Sequence, residues 1–99
     1  MSIDRIMREE ARLVILKALA DEPSETLNSS LLGEVLGTFG IYKPREWVHA
    51  ELGWLAEMGA VTITDAGTVK IARLTETGHR HLRREMALPG VKRPSRPEG

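Results

Sequence analysis

The apolar residues of 43–59 recur at helical spacing, and both ends of this segment carry helix-end signals. They are Val48, Leu52, Leu55 and Ala56, and the three- and four-residue spacing places them on one face. Pro44 suits the first position of a helix, because a proline lacks only an N–H that the helix start leaves unpaired anyway. Gly59 can take the left-handed conformation that closes a helix. The pattern predicts a helix over 44–58 with one packed face and one free face.

A longer apolar stripe near the N-terminus predicts a first helix from about Ser2 to Ala20, capped by Ser2 or Asp4. Its apolar positions are Ile6, Leu13, Val14, Ile15, Leu16, Leu19 and Ala20. This stripe is wider than one packing partner requires. The helix therefore either forms a dimer interface or covers one end of a small core. Its charged residues, Arg5, Arg8, Glu9, Glu10 and Arg12, are expected in solvent.

A second helix is predicted between a turn at residues 21–25 and the glycine at residue 40. Pro23 prevents the first helix from continuing, and Asn28 can cap the helix SSLLGEVLGTFG. The residues expected to face inward are Leu31, Leu32, Val35, Leu36 and Phe39. Ile41, in the turn before the central helix, is expected to enter the core.

After Gly59 the pattern changes to alternation, which predicts a β-hairpin. Residues 61–64 and 69–74 alternate apolar and polar positions around a turn at 65–68. Thr75 can cap a last helix, ETGHRHLRREMAL, which ends before Pro89 and places His79, Leu82 and Met86 on one face. We expect an α+β, mostly α, winged helix-turn-helix domain over 1–88, with three helices, a hairpin wing and a C-terminal helix. Residues 89–99 are expected to form a flexible, basic, proline-rich tail.

Composition limits the classes of function. The chain has 99 residues, 41% of them hydrophobic, and no cysteine, which indicates one modest domain without disulfides or thiolate metal sites. Its apolar runs are too short to span a membrane, and its N-terminus is too charged for a secretory signal, so we expect a cytoplasmic protein. The three histidines are scattered and no nucleotide-loop or hydrolase motif is present. We expect neither an enzyme nor a bound metal or cofactor.

Charge is distributed unevenly although the chain is neutral overall. Residues 1–60 contain six Lys/Arg and ten Asp/Glu, whereas residues 61–99 contain eight Lys/Arg and four Asp/Glu. A basic half is what a nucleic-acid contact requires, since attraction to phosphate supplies most sequence-independent affinity. A basic tail also occurs in soluble proteins that bind no nucleic acid.

The element order therefore makes double-stranded DNA the first candidate partner, bound by a homodimer through its first and last helices. The second helix of a helix-turn-helix enters the major groove, and a wing lies beside phosphate or the minor groove. The candidate contacts are Lys43, Arg45, Glu46 and His49 on the central helix, Thr68, Lys70 and Arg73 on the wing, and Lys92 and Arg93 on the tail. In the alternative interpretation Arg45 pairs with a nearby glutamate and the tail only improves solubility.

A second hypothesis is a protein-interaction module that binds no DNA. Glu46, Glu51 and Glu57 on the central helix would repel phosphate unless they are paired. Trp47 and Trp54, seven residues apart, are either core residues or anchors for a protein partner. The two hypotheses differ in whether a mobility shift is seen with duplex DNA at low salt.

The chain resembles the short winged-helix proteins encoded by Mu-like phages and prophages. The resemblance rests on EEARLVILKALAD in the first helix, AELGWLAEMGAV at the end of the central helix, LTETG after the wing and PGVKRP in the tail, and it covers nearly the whole chain. It implies a winged-helix domain of phage origin, similar by fold to ArsR-like or MarR-like regulators, in a host-cell cytoplasm. Under the first hypothesis the protein would then be a phage transcriptional regulator, and under the second it would act in phage assembly or host takeover. The thiolate metal-sensing motif of many ArsR-like repressors requires cysteines, so a metal-responsive switch is not expected here.

Overall fold

A computed structural model describes residues 2–96 of the chain, which form four helices and one three-stranded antiparallel sheet. The elements in chain order are α1 (Ile3–Asp21), β1 (Thr26–Asn28), α2 (Ser29–Thr38), α3 (Arg45–Glu57), β2 (Val61–Ala66), β3 (Val69–Leu74) and α4 (Glu76–Leu82). This order confirms the predicted α+β winged helix-turn-helix.

The predicted helix ends are confirmed at most positions. Ser2, Asn28 and Thr75 each accept a backbone N–H with their side chains at the starts of α1, α2 and α4. Gly59 has φ +78° and follows the end of α3. Pro44 is the residue before α3 rather than its first residue, and its carbonyl accepts from Val48 N–H at 3.2 Å. The caps fix where each helix begins, because they satisfy N–H groups that have no partner inside the helix.

The sheet contains the predicted hairpin and one strand that sequence reasoning missed. β2 and β3 pair in register from Val61–Leu74 to Ala66–Val69, so the loop is only Gly67 and Thr68, with Gly67 at φ +64°. β1 pairs with the other edge of β3, which places β3 in the centre of the sheet. Three residues are too few to show a period, so β1 left no recognisable pattern in the sequence.

The core lies between the helices and the inner face of the sheet, and Ile41 enters it as predicted, with 7% of its surface exposed. The prediction was wrong for Leu31 and Phe39, which are 45% and 64% exposed. Leu32 and Leu36, one turn apart, occupy the buried face of α2. Leu31 lies about 100° around the helix from Leu32, and Phe39 follows the last helical residue.

The last helix is shorter than predicted, because α4 ends at Leu82 and Arg84 adopts φ +62°. His81, rather than His79, is the fully buried histidine. Its Nδ1 accepts from Leu88 N–H at 3.0 Å, and its Nε2 lies 3.0 Å from the carbonyl oxygen of Lys92. These bonds turn the chain back over α4, which explains why a helix over 76–88 does not form.

Residues 88–94, which we call the C-terminal strap, pack back against α1. Leu88 and Val91 are buried, and Lys92 N–H donates to the carbonyl oxygen of Glu9 at 3.1 Å. These contacts differ from the flexible tail predicted over 89–99, because two apolar residues among prolines and cations show no period from which packing could be predicted. The last part of that predicted tail, 97–99, lies outside the described residues. In residues 2–96, no helix has both the length and the apolar character needed to cross a membrane.

Candidate nucleic-acid interface

The N-terminal end of α3 presents two cations to solvent. Lys43 and Arg45 are exposed, and neither forms an ion pair within residues 2–96, so the alternative of an Arg45 salt bridge is not observed there. Lys43 Nζ lies 5.7 Å from the ring centroid of Trp47. Glu46 is also exposed in the first turn, where the helix dipole favours a negative charge. Positive charge is therefore accessible at the start of the predicted reading helix.

A single hydroxyl group joins this helix to α2 and to the hairpin. Ser29 Oγ, which is buried at the start of α2, accepts from the backbone N–H of Lys70 at 3.0 Å. It also lies 3.0 Å from Nε2 of His49 on α3. We call this arrangement the Ser29 junction. It holds the start of α2, the middle of α3 and the beginning of β3 in one fixed arrangement.

The junction changes the interpretation of His49. Sequence reasoning placed His49 among the exposed residues nearest to base edges, but its side chain is half-buried and bonded to Ser29. A hydroxyl group can both donate and accept, so it can satisfy either tautomer of the imidazole. His49 therefore positions α3 against α2 in this structure.

The structure does not bring Lys70 and Arg73 to the same side of the hairpin. Side chains alternate along a strand, so residues three apart point to opposite faces. Lys70 shares its face with the buried Ala72 and Leu74, whereas Arg73 is exposed on the other face. Period-two counting from the sequence alone could have shown this separation.

Lys70 is also engaged by a carboxylate. Its Nζ donates to Asp65 Oδ1 at 2.6 Å, and the two residues are cross-strand partners in the hairpin. The hydrogen bond and charge of Lys70 lower the pKa of Asp65 from its ordinary value. Thr68, at the tip of the hairpin, is exposed.

A small cavity lies where the three elements meet. Its volume is about 200 Å³, and its lining includes Ser29 and Ser30 from the first turn of α2, Lys43 and Arg45, and Val69 of β3. Helix N-terminal N–H groups and cations both favour anions. The arrangement therefore has the chemistry to hold a phosphate oxygen beside the start of α3.

Two arginines of α1 form an ion cluster with α3. Glu51 is only 2% exposed, and it accepts from Arg8 Nη1 and, at 2.6 Å, from Arg12 Nε. The expectation that Arg8 and Arg12 form a solvated face was wrong, because both are drawn to this buried carboxylate. The two arginines balance the charge of Glu51, so one of the three carboxylates expected to repel phosphate is paired.

Both tryptophans stack on these arginines. The guanidinium carbon of Arg8 lies 5.1 Å from the Trp47 ring centroid, and that of Arg12 lies 3.8 Å from the Trp54 centroid. Both rings are half-buried and pack against the core. They contribute to the α1–α3 packing, which was one of the two roles that the sequence left open.

The structure places one strap cation against α1 and the other in solvent. Lys92 Nζ pairs with Glu10 of α1 at 3.1 Å, and Arg93 is exposed. Partial burial, together with the neighbouring charges of Arg93 and Arg96, lowers the pKa of Arg84. Among the described residues, no three histidine or acidic side chains are grouped in a way that could hold a metal ion.

Comparison with known proteins adds a relative and a fold. No protein-family model matches the chain. It is 35% identical over 92 residues to the uncharacterized protein gp26 of Escherichia phage Mu, an alignment that covers 93% of this chain and 95% of gp26.

Among solved structures, the fold is similar to that of Sco3205, a MarR family transcriptional regulator from Streptomyces coelicolor, in complex with DNA. The TM-score is 0.64 with 22% sequence identity, over 88% of this chain and 55% of the regulator. The chain thus spans about half the length of that protein, and the likeness establishes the winged-helix fold.

Proposed function

This chain belongs to the family of small winged-helix phage proteins that includes gp26 of phage Mu, and we propose that it is a DNA-binding transcriptional regulator. The observation that supports this most directly is the Ser29 junction beside Lys43 and Arg45, which form no ion pair in the described part of the chain. A reading helix must be held rigidly with its cationic end accessible, and this junction holds α3 and the hairpin together. Sco3205, whose fold is similar, was solved in complex with DNA, which supports the proposal.

We assign direct contacts to the start of α3 and to the tip of the hairpin. Arg45 and Glu46 point toward base edges, where arginine pairs with guanine and a carboxylate accepts from cytosine. Lys43 contacts phosphate at the cavity beside Ser30, and Thr68 contacts the backbone from the hairpin tip. His49 and Lys70 position these groups through Ser29.

We further propose that two copies bind DNA together through the N-terminal part of α1. Ile3 and Ile6 are 74% and 43% exposed, although both are large apolar residues. A two-fold dimer would place two α3 helices one helical turn of DNA apart, about 34 Å. α4 packs on α1 and would support this interface without forming all of it.

A mobility-shift titration with duplex DNA at two salt concentrations tests the proposal. We expect binding that weakens steeply with salt. Each phosphate contact that forms releases condensed counterions and contributes a slope of about −0.9 in log K against log salt. Arg45→Glu should weaken binding at least about tenfold, since it removes the proposed pairing with guanine and adds a negative charge near the phosphates. Lys17→Glu is the matched control, because Lys17 is an exposed cation on α1 and makes no ion pair within residues 2–96.

Selection from a randomised duplex pool then tests sequence reading. Enrichment of one motif that Arg45→Glu no longer enriches supports a regulator with a defined operator. Absence of any mobility shift at low salt would eliminate DNA binding. Equal losses of affinity in Arg45→Glu and Lys17→Glu would show that α3 does not contact the DNA.

A further inference from the structure

We propose that a groove between the end of α1 and the outer face of α2 binds a cationic, amphipathic segment of a partner protein. We call it the acidic groove. Its volume is about 470 Å³; Leu27, Leu31 and Val35 form its apolar part, and Asp21, Glu22 and Glu34 lie at its edge. This proposal does not depend on DNA binding.

The apolar part of the groove is accessible to a partner. Leu31 is 45% exposed, and Leu27 and Val35 are half-buried against the core. Leu31 and Val35 lie one turn apart on α2, so they form a continuous apolar strip. Covering such a concave apolar surface releases water, which favours a partner with apolar side chains.

The carboxylates at the edge of the groove favour a partner with positive charge. Asp21, Glu22 and Glu34 form no ion pair within residues 2–96, and no lysine or arginine lines the groove. Of the five described carboxylates without a basic partner within 4 Å, three line this groove, and the other two, Glu46 and Glu57, lie on α3. Three unpaired carboxylates would repel phosphate, so a nucleic acid does not fit this surface.

A polypeptide with lysine or arginine beside apolar residues satisfies both properties. The carboxylates can pair with its cations while its apolar side chains cover Leu31 and Val35, as in helix-in-groove recognition. The groove is separate from the proposed dimer contact at the start of α1. Asp21 lies fifteen positions after Ile6 in α1, which corresponds to about 22 Å along the helix axis.

The test uses a fluorescent helical peptide of leucine and lysine as the probe, with a peptide of leucine and glutamate as its control. We expect only the lysine peptide to bind, and we expect the amide chemical shifts of Leu27, Leu31 and Val35 to change in the protein. Leu31→Ser and Glu34→Lys should each weaken binding about tenfold or more, because one removes apolar contact and the other places like charges together. Circular dichroism of both variants should match the wild type, since both positions are exposed.

Glu57→Lys is the matched charge control, because Glu57 is exposed on α3 and lies outside the groove. If Glu57→Lys weakens binding of the lysine peptide as much as Glu34→Lys does, or if chemical-shift changes spread over all acidic surfaces, the peptide binds by general charge attraction and the proposed site is wrong. Sedimentation velocity tests whether a second copy of the chain occupies the groove instead. Self-association of the wild type that Leu31→Ser abolishes would show a second copy in the groove and overturn the proposal.

Discussion

Arg12 Nε donates to Glu51 Oε1 at 2.6 Å, and this bond joins α1 to α3 at a carboxylate that is almost completely buried. Arg12 also donates from Nη1 to the carbonyl oxygen of Gly90 at 2.8 Å, so the same side chain holds the strap. One guanidinium group therefore ties together the first helix, the proposed reading helix and the C-terminal segment.

Glu51→Ala is expected to destabilise the protein by about 3–5 kcal/mol, because it leaves two partly buried arginines without their carboxylate. Urea unfolding followed by circular dichroism measures the change. Glu57→Ala, on the exposed side of the same helix, should change the free energy of unfolding by less than about 0.5 kcal/mol. Similar losses in the two variants would contradict a structural role for the Glu51 ion cluster.

Gly90→Ala should release the strap, because Gly90 has φ +84° and an added Cβ would lie 2.6 Å from Cζ2 of Trp54. The left-handed conformation alone costs about 1–2 kcal/mol for an alanine, and the clash adds to this cost. Faster hydrogen exchange at the amide of Lys92, which bonds to α1, would report the release.

Gly53→Ala is the matched glycine control for that experiment. Gly53 is exposed within α3 and nothing lies within 4 Å of the added methyl group. Alanine favours a helix interior over glycine by about 1 kcal/mol, so this variant should be more stable than the wild type. Stabilisation by both alanine substitutions would show that the strap does not pack on Trp54.

Ser29→Ala should loosen the hairpin relative to α3. It removes the acceptor of the Lys70 N–H group and the partner of His49, and an unpaired buried N–H costs about 1–3 kcal/mol. We expect faster exchange of the Lys70 amide and weaker DNA binding. Ser30→Ala, at the neighbouring exposed position, should leave that amide protected. Unchanged protection of Lys70 in Ser29→Ala would refute the junction.

The Asp65–Lys70 pair predicts a pH dependence of known sign. Since Lys70 lowers the pKa of Asp65, the pair contributes stability above the ordinary carboxylate pKa and loses it as the pH falls through the lowered value. NMR titration of the Asp65 carboxyl carbon should show this lowered pKa, and Lys70→Gln should raise it. An identical titration in the wild type and Lys70→Gln would exclude the pair in solution.

Ile6→Ser should shift the protein toward the monomer if α1 forms the proposed dimer. The variant would lose apolar contact at the start of α1, whereas Leu31→Ser, on α2, should leave the dimer intact. Sedimentation equilibrium measures both. A wild-type protein that remains monomeric at all concentrations would contradict the dimer.

Part of the candidate site could be located from the sequence. The exposure of Lys43, Arg45 and Glu46 follows from the stripe of α3, because the apolar positions fix which face is buried. The positions of His49 and Lys70 could not be found that way. Their placement depends on Ser29, which is twenty residues from His49 and forty-one from Lys70.

Periodicity and end signals in the sequence determined the order of the helices and the hairpin, the starts of three helices and the buried Ile41, because these features depend on residues close along the chain. The tertiary structure decided which charges are buried, where the last helix ends and where the strap lies. Arg12, Glu51, His81 and Gly90 meet only after folding, and their side-chain identities do not reveal their partners. Buried polar groups must find hydrogen-bond partners, and in this chain those partners lie far apart in sequence.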